Sequence, residues 1–350
     1  MRSRTLFAVL VTAALMFSAV ASVSGKSPQV TTVVYDDFSA AGGYSLTTYG
    51  SKWSNIYGLG DMDPQAGPDT RNFSDGTFAI ADAPFRTSYD YSVFDHLKYI
   101  AISNSTFAVP TNGSLTFSSD IAAQTPGTDR HHVVHGTYGP PGSYPNGAPY
   151  SATVLQGQQA GAVMNMVSFE TGQLFDWFIS GDRAFALIER LPSSVTGNTS
   201  DHASPDWVGP EKMYTQIIVE VHAAANVTHH VAITYTRAPG MVSSTVEYFL
   251  DGTSIAKVNN VGIPLDRQGQ SYTGIYPSLG AGEDLRTKLN SFAIGHGTFS
   301  LLDAFPFQWC ETGYPEACAK SVSIPTSERL FGQGVNAHFD NFTVTTKTGN

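Results

Sequence analysis

Cysteine is nearly absent: Cys310 and Cys318 are the only two in 350 residues. That excludes a disulfide framework as the main source of stability and leaves no cysteine-based zinc pattern. Seven residues separate the two, Gly313 and Pro315 among them, so a local disulfide staple is expected. Charge is also scarce, at 14% of residues, with Lys+Arg 19 against Asp+Glu 29 and a formal net charge of -10. No Lys/Arg cluster occurs, which argues against a nucleic-acid partner. A Gly-x-Ser-x-Gly elbow, a phosphate loop and a dinucleotide fingerprint are all missing, so nucleophilic serine catalysis and nucleotide chemistry have no support. Long apolar runs are missing too, except for Leu6 to Val20. That run is shorter than the ~20 residues of a membrane span. It follows Arg2 and Arg4 and precedes Ala19-Val20-Ala21, the pattern of a secretory signal peptide over residues 1–21, with Val23-Ser24-Gly25 as a later cleavage option. Loss of Arg2 and Arg4 would take the charge from -10 to -12. The secretory pathway or the extracellular space is the expected location, with no membrane span.

What the chain has is aromatic residues (12%) and short β-type runs. Six sequons, at Asn72, Asn104, Asn112, Asn198, Asn226 and Asn341, suggest glycosylation after such a signal. Strands are expected at 31–38, 76–81, 114–123, 162–169, 174–179, 184–191, 214–223, 229–236, 244–250, 253–258, 291–295 and 337–346. These runs are rich in Val, Ile, Thr, Phe and Tyr and are bounded by Gly, Pro, Asn or Asp. Leu250-Asp251-Gly252-Thr253 reads as a type I′ hairpin. Helix signals are few, a turn or two at 95–102 and at 282–289. Stretches 136–149 and 196–210 read as long loops. Residues 22–350 are expected to form a single all-β domain.

Four segments carry a resemblance. Tyr35-Asp36-Asp37-Phe38 with Trp53, Gly113 to Ile121, Val246 to Gly252, and Ala337 to Val344 resemble the opening, early core, late hairpin and closing strands of concanavalin A-like lectin/glucanase domains. The resemblance implies a two-sheet antiparallel jelly-roll sandwich with long loops. It also implies a structural Ca²⁺ at Asp340 with Asp37 beside it, against a plain salt bridge or turn contact. No cofactor is expected for catalysis.

The most informative segment is Phe169 to Pro192, two apolar strands folded about Ser180-Gly181-Asp182. Carboxylates in such strands are costly unless paired or used. Family 16-type glycoside hydrolases of this fold carry Glu-x-Asp-x-Glu, which this chain lacks. Glu170 and Asp176 stand six residues apart, roughly 20 Å along a strand, too far for the ~5–5.5 Å of retaining chemistry. A two-residue turn at Gly181-Asp182 instead sets Asp176 opposite Leu187 and Glu189 opposite Leu174. The two acids then become diagonal neighbours with Cβ atoms ~7–8 Å apart, on one face with Phe178 and Phe185. A three-residue loop would flip one strand and cancel the pairing. The bland alternative is that both acids serve structure, bonded to Arg or Tyr neighbours.

Among the histidines, His131 and His135 would lie ~13 Å apart on a strand, too far for one metal ion. His135 with Tyr138 fits a polar rim or acid/base group. His296, between Gly295 and Gly297, is a pocket candidate. As a whole the chain resembles fungal secretory hetero-Diels–Alderases of tropolone–sesquiterpenoid biosynthesis, in its signal peptide, sequons, aromatic-rich β pattern, low charge and missing hydrolase motif. That resemblance implies dehydration to an o-quinone methide and its cycloaddition to a terpene alkene, with small apolar molecules as partners. Asp176 or Glu189 is then the expected proton donor. Arg190, His135 or Tyr138 would orient oxygens, and Trp177, Tyr272, Phe292 and His296 are candidate walls. The register places Trp177 on the face opposite Asp176, so both cannot line one pocket. A carbohydrate-active protein is the alternative, either a glucan hydrolase or lyase with an atypical carboxylate pair or a lectin. Glycans would then stack on Trp53 and Trp207. A non-catalytic coat or adhesion protein is the third reading.

Overall fold

Short runs of β-branched and aromatic residues, punctuated by Gly, Asn and Asp, form antiparallel strands here. The computed structural model describes residues 27–41, 43–55, 71–86, 97–129, 135–138, 150–153, 160–170, 172–190, 214–237, 244–259, 289–300 and 330–349. In chain order the elements are β1 (Val30–Asp36), α1 (Leu46–Lys52), β2 (Trp53–Asn55), β3 (Arg71–Ser74), β4 (Thr77–Asp82), β5 (Leu97–Ser103), β6 (Phe107–Ala108), β7 (Gly113–Gln124), β8 (His135–Tyr138) and β9 (Tyr150–Thr153). They continue as β10 (Ala160–Val167), β11 (Gln173–Ser180), β12 (Arg183–Arg190), β13 (Tyr214–His222), β14 (Thr228–Arg237), β15 (Ser244–Leu250), β16 (Thr253–Asn259), β17 (Ser291–Ser300) and β18 (Val335–Thr348).

Among the described residues, one sheet runs β16-β15-β14-β7-β18-β4-β3, with β1 also on β18. The second runs β13-β12-β11-β10-β17-β5-β2, with β6 also on β17, and β8-β9 form a separate ribbon. The chain passes back and forth between the two sheets. The result is the two-sheet antiparallel jelly-roll sandwich of the concanavalin A-like kind that the four-segment resemblance implies.

Turn chemistry fixes the registers. Asp251 (φ +50°) and Gly252 (φ +78°) join β15 to β16 with both central residues left-handed, as a type I′ turn requires. Gly181 (φ +63°) takes the first central position between β11 and β12, where a type II′ turn places glycine. The only helix among the described residues is α1, capped by Ser45, whose hydroxyl accepts from the Thr48 amide at 3.2 Å. The helix signal at 95–102 is overturned: Leu97–Ser103 is strand β5, buried at every position. A strand covered on both faces shows no period-two alternation, which is what hid it. Of the stretch at 282–289, residues 282–288 lie outside the described residues.

The facing sides of the two sheets make the core. Phe117, Ile121, Val231, Ile233, Tyr235 and Tyr248 of the first sheet meet Met164, Met166, Phe175, Trp177 and Ile188 of the second. The Trp177 indole N–H donates to the Ala232 carbonyl across the gap at 2.9 Å, and the Tyr248 ring meets the indole edge-on at 5.8 Å. Each large apolar side chain fully buried in this layer contributes roughly 1.5–3 kcal/mol.

Candidate acid site on the outer face of the second sheet

The hairpin β11–β12 closes with a two-residue turn. Ser180 pairs with Arg183, Asp176 with Leu187, and Leu174 with Glu189. On the other side of β11, Asn165 of β10 pairs with Asp176, and Gly295 of β17 pairs with Asn165. Cross-strand partners share a face. The face turned away from the first sheet therefore carries Asn165, Asp176 and Glu189 among Val163, Leu174, Phe178, Phe185 and Leu187. All of these side chains are buried. The apolar ones stand apart from the cluster between the sheets and form a layer of their own. Phe178 stacks on Phe185 at 5.0 Å and meets Phe299 edge-on at 5.7 Å.

The polar atoms in this layer are few and close. Asn165 Nδ2 donates to Asp176 Oδ1 at 2.6 Å. Asp176 Oδ2 and Asn165 Oδ1 are buried without a hydrogen-bond partner. Desolvation pushes the Asp176 carboxyl well above the usual carboxylate range, the nearby Glu189 carboxylate pushes it further, and the Asn165 bond opposes both. Asp176 thus holds its proton where an exposed aspartate has lost it. From the core side, the Tyr248 hydroxyl donates to the Leu187 carbonyl. Burial raises that phenol well above its ordinary range, and the two carboxyls on the far side of the sheet add to the shift. An apolar layer holding one protonated acid, one second carboxyl and one amide can deliver a proton to a ligand and hold its oxygens.

Sequence reasoning found Asp176 and Glu189 and missed Asn165. Its signal was available: a lone amide inside the otherwise apolar run Ala160-Gly-Ala-Val-Met-Asn-Met-Val167. The expected walls belong elsewhere. Trp177 points into the core, tied to Ala232. Phe292 is buried in the same core, 5.8 Å from Phe175 and 5.2 Å from Tyr235. Trp53 is only 2% exposed, with its indole N–H on Asp36 Oδ2 at 2.7 Å, so it offers no platform for a sugar. His296 lies on the core side of β17 inside a shell of aromatic rings that includes Trp53, Phe78 and Phe339. Its Nε2 bonds the Tyr49 hydroxyl at 2.8 Å, and burial pushes the imidazole down to about 3. Glu170 is exposed and accepts from Asn290 and Ser291, remote from proton-transfer duty as its spacing predicts.

Arg190 ends β12, paired through its backbone with Gln173 and Tyr214. His135 and Tyr138 open and close β8, opposite Thr153 and Tyr150, in a ribbon that begins within a stretch expected as loop. For these three the description covers the backbone alone. Residues 1–26, His131, Asn198, Trp207, Tyr272, Cys310 and Cys318 lie outside the described residues. Of the other sequon asparagines, Asn72, Asn104, Asn226 and Asn341 are exposed and Asn112 is half-buried.

The two carboxylates expected at a calcium site make local hydrogen bonds. The Asp37 carboxylate is taken by the backbone and hydroxyl of Ser39, and Asp340 accepts from Asn341. Among the described residues no group of three or more His, Cys, Asp or Glu side chains could hold a metal ion. Among the same residues no helix is long and apolar enough to cross a membrane.

The sequence matches a family described as a family of unknown function (DUF6081) over residues 65–348. The chain belongs to that family. No curated protein matches it. Among solved structures it is similar to an endo-1,3-beta-glucanase from Streptomyces sioyaensis, at 12% identity and TM-score 0.41, covering 95% of this chain and 100% of that one. It is also similar to the laminarinase catalytic domain from Thermotoga maritima, at 9% identity and TM-score 0.39, with coverages of 93% and 100%. A legume lectin-like domain from Entamoeba histolytica matches at 6% identity and TM-score 0.34, with coverages of 87% and 94%.

Proposed function

We propose that this DUF6081 protein is an acid catalyst for a small apolar molecule, and that the reaction is dehydration to an o-quinone methide followed by hetero-Diels–Alder addition to a terpene alkene. The observation that carries this reading is the Asp176 carboxyl, wholly buried among Phe178, Phe185 and Leu187, where desolvation favours its protonated form. An acid in such a layer gives up its proton to bulk water less readily than an exposed one, and it can give one to a leaving hydroxyl on a bound ligand. Protonation of a hydroxymethyl group breaks its C–O bond and releases water. The Asp176 carboxylate so formed keeps the Asn165 Nδ2 hydrogen bond, which strengthens as charge develops. The ligand then yields its ring hydroxyl proton back to the site, which gives the neutral quinone methide and restores Asp176. Cycloaddition forms one C–C and one C–O bond with no net proton transfer. It needs the two apolar partners held in near-attack geometry with water excluded.

One observation favours a second reading. Diagonal placement on one face sets the Cβ atoms of Asp176 and Glu189 ~7–8 Å apart, a spacing from which two carboxyls can reach the ~6.5–9.5 Å separation used by inverting glycosidases. Asp176 would be the acid and Glu189 the base that activates water, with a glycan as partner. The two readings separate in one experiment. The purified protein is incubated with a hydroxymethyl-tropolone plus a humulene-type alkene, and in parallel with β-glucan oligomers. Turnover of the tropolone pair, reduced ~10²–10⁴-fold by Asp176→Asn without unfolding, supports the first reading. A response to glucan alone ends it.

A further inference from the structure

The first sheet has an edge that no described strand closes. β1 pairs with β18 on one side only. The Thr348 N–H donates to the Gln29 carbonyl at 3.0 Å. Alternation along an antiparallel ladder then turns the backbone groups of Thr31 and Val33 toward β18, and those of Val30, Thr32 and Val34 outward to the open edge. The side chains there are as bare as the backbone. Val30, Val33 and Val34, each more than half exposed, are three of the five large apolar side chains exposed among the described residues. Edge strands are normally blunted by charge, proline or brevity. The other edges of the two sheets follow that rule: β16 carries Lys257, β13 carries Glu220, β3 opens with Arg71, and β2 and β6 are three and two residues long. β1 has no charged residue from Val30 to Tyr35.

We propose that β1 is the contact between two copies of this chain, paired antiparallel about a twofold axis at Thr32. The strand is complementary to itself. The axis sets Val30 against the second copy's Val34, Thr31 against its Val33, and Thr32 against its own mate. All are β-branched, the class that packs best on a pleated surface. The three outward-turned residues of each copy then exchange about six backbone hydrogen bonds. Two features fix that register. Pro28 has no N–H to offer before the strand, and the bulge between Val34 and Asp36 interrupts it afterwards. Sliding one copy by two residues therefore loses a bonded pair. The row Thr234, Thr116, Thr345 and Thr32, one hydroxyl per strand, runs out to this edge and continues into the second copy. An unrelated extended peptide would make the same backbone bonds, and the match of the strand to itself is what selects a second copy instead. The contact extends the first sheet and leaves the Asp176 face, on the second sheet, outside it.

The test is association, read apart from any activity. One short strand a side is far below the ~20–30 residues of a standard interface, so the dissociation constant should be on the order of 10–100 µM. Sedimentation velocity of the purified protein over ~1–500 µM should therefore show monomer passing to dimer. Thr32→Lys sets two like charges face to face on the axis and should weaken association at least about tenfold. Thr32→Val keeps the β-branch and should stay within about threefold of the wild-type protein. Cross-linking reads the register directly. The Cα atoms of a hydrogen-bonded antiparallel pair lie ~5.5 Å apart, within the span of a disulfide. Thr32→Cys should give a covalent dimer on mild oxidation, seen on a non-reducing gel. Val33→Cys should not, because Val33 faces Thr31 of the second copy and stands off from its own mate. The wild-type protein, with Cys310 and Cys318 in place, is the blank. A protein that stays monomeric at ~500 µM overturns the pairing, as does association indifferent to Thr32→Lys or a cross-link that forms at Val33 in place of Thr32. A monomer that takes up an unrelated extended peptide along β1 overturns it as well.

Discussion

Two rows of side chains, one residue apart, lie on opposite faces of the same three strands. On the core side His296, Met164 and Trp177 pair across β17, β10 and β11. On the outer side the row is Gly295, Asn165 and Asp176. Both rows bury a titratable group, and burial drives both to the neutral form. In the core row the Trp177 indole N–H and His296 Nε2 are bonded to residues distant in the chain: the bond to Ala232 fastens one sheet to the other, and the bond to Tyr49 fastens β17 to α1. In the outer row the one hydrogen bond is local, and two adjacent oxygens point at nothing the protein supplies. The core row holds the fold, with one buried atom, His296 Nδ1, left without a partner. The outer row spends stability and is therefore the place to look for chemistry.

Removing a side chain from each row sharpens that contrast. Trp177→Ala should cost about 3–5 kcal/mol, through a large cavity and an orphaned Ala232 carbonyl. At or below about pH 4, where the acid is neutral in both the folded and the unfolded chain, Asp176→Asn should change stability by about 1 kcal/mol or less, because a neutral amide replaces a neutral acid of the same shape. Urea denaturation monitored by tryptophan fluorescence measures both. Comparable losses in the two variants would dissolve the distinction between the faces.

The sequence made one half of this contrast readable and disguised the other. Alternation along Leu174-Phe-Asp-Trp-Phe-Ile-Ser180, with Gly181 at the turn, set the register that puts Asp176 opposite Leu187. Inner and outer faces are both apolar here, yet only one carries carboxyls, and that told them apart. Trp53, Phe292 and His296 misled because a polar handle or a flanking glycine looks the same in a pocket and in a core. What distinguishes them is the partner, and the partners are remote: Tyr49 is 247 residues from His296. Asn165 was passed over because an amide carries no charge to draw notice, although its setting in Met-Asn-Met is as unusual as that of Asp176 in Phe-Asp-Trp. The β5 strand, covered on both faces, offered no alternation to read.

The two rows should also respond to pH with opposite sign. Asp176 is raised in the folded protein. Its contribution to stability is fully present below its unfolded value of about 4 and is lost as pH rises through the folded value. His296 is depressed from 6.5 to about 3. Its contribution is present above the unfolded value and is lost as pH falls toward the folded one. Each group sets a slope of at most about 1.4 kcal/mol per pH unit. Asp176→Asn should flatten the decline in urea midpoint above about pH 4. His296→Gln should flatten the decline below about 6.5. A single variant that flattened both limbs would show that the rows titrate as one network.

The smallest expected effect comes from a single methyl group added to the outer row. A Cβ on Gly295 would stand 2.5 Å from the Ile102 Cδ1 atom and 3.2 Å from both the Ala101 carbonyl oxygen and Asn165 Oδ1. The Ile102 methyl is the free end of a side chain and can rotate away, so Gly295→Ala should cost only about 1 kcal/mol of stability. The amide has less freedom, because its other end is held by Asp176. Displacing it by a few tenths of an ångström disturbs the orphan oxygens without touching the acid itself. Gly295→Ala should therefore weaken hydroxymethyl-tropolone binding, read calorimetrically, by about three- to tenfold while leaving the Asp176-dependent pH slope in place. Gly297, two residues on, has no such latitude, because a Cβ there would strike the Tyr99 backbone carbonyl. If Gly295→Ala bound the hydroxymethyl-tropolone as tightly as the wild-type protein, the outer row would be as indifferent to its polar geometry as the core row is, and the difference between them would be one of packing alone.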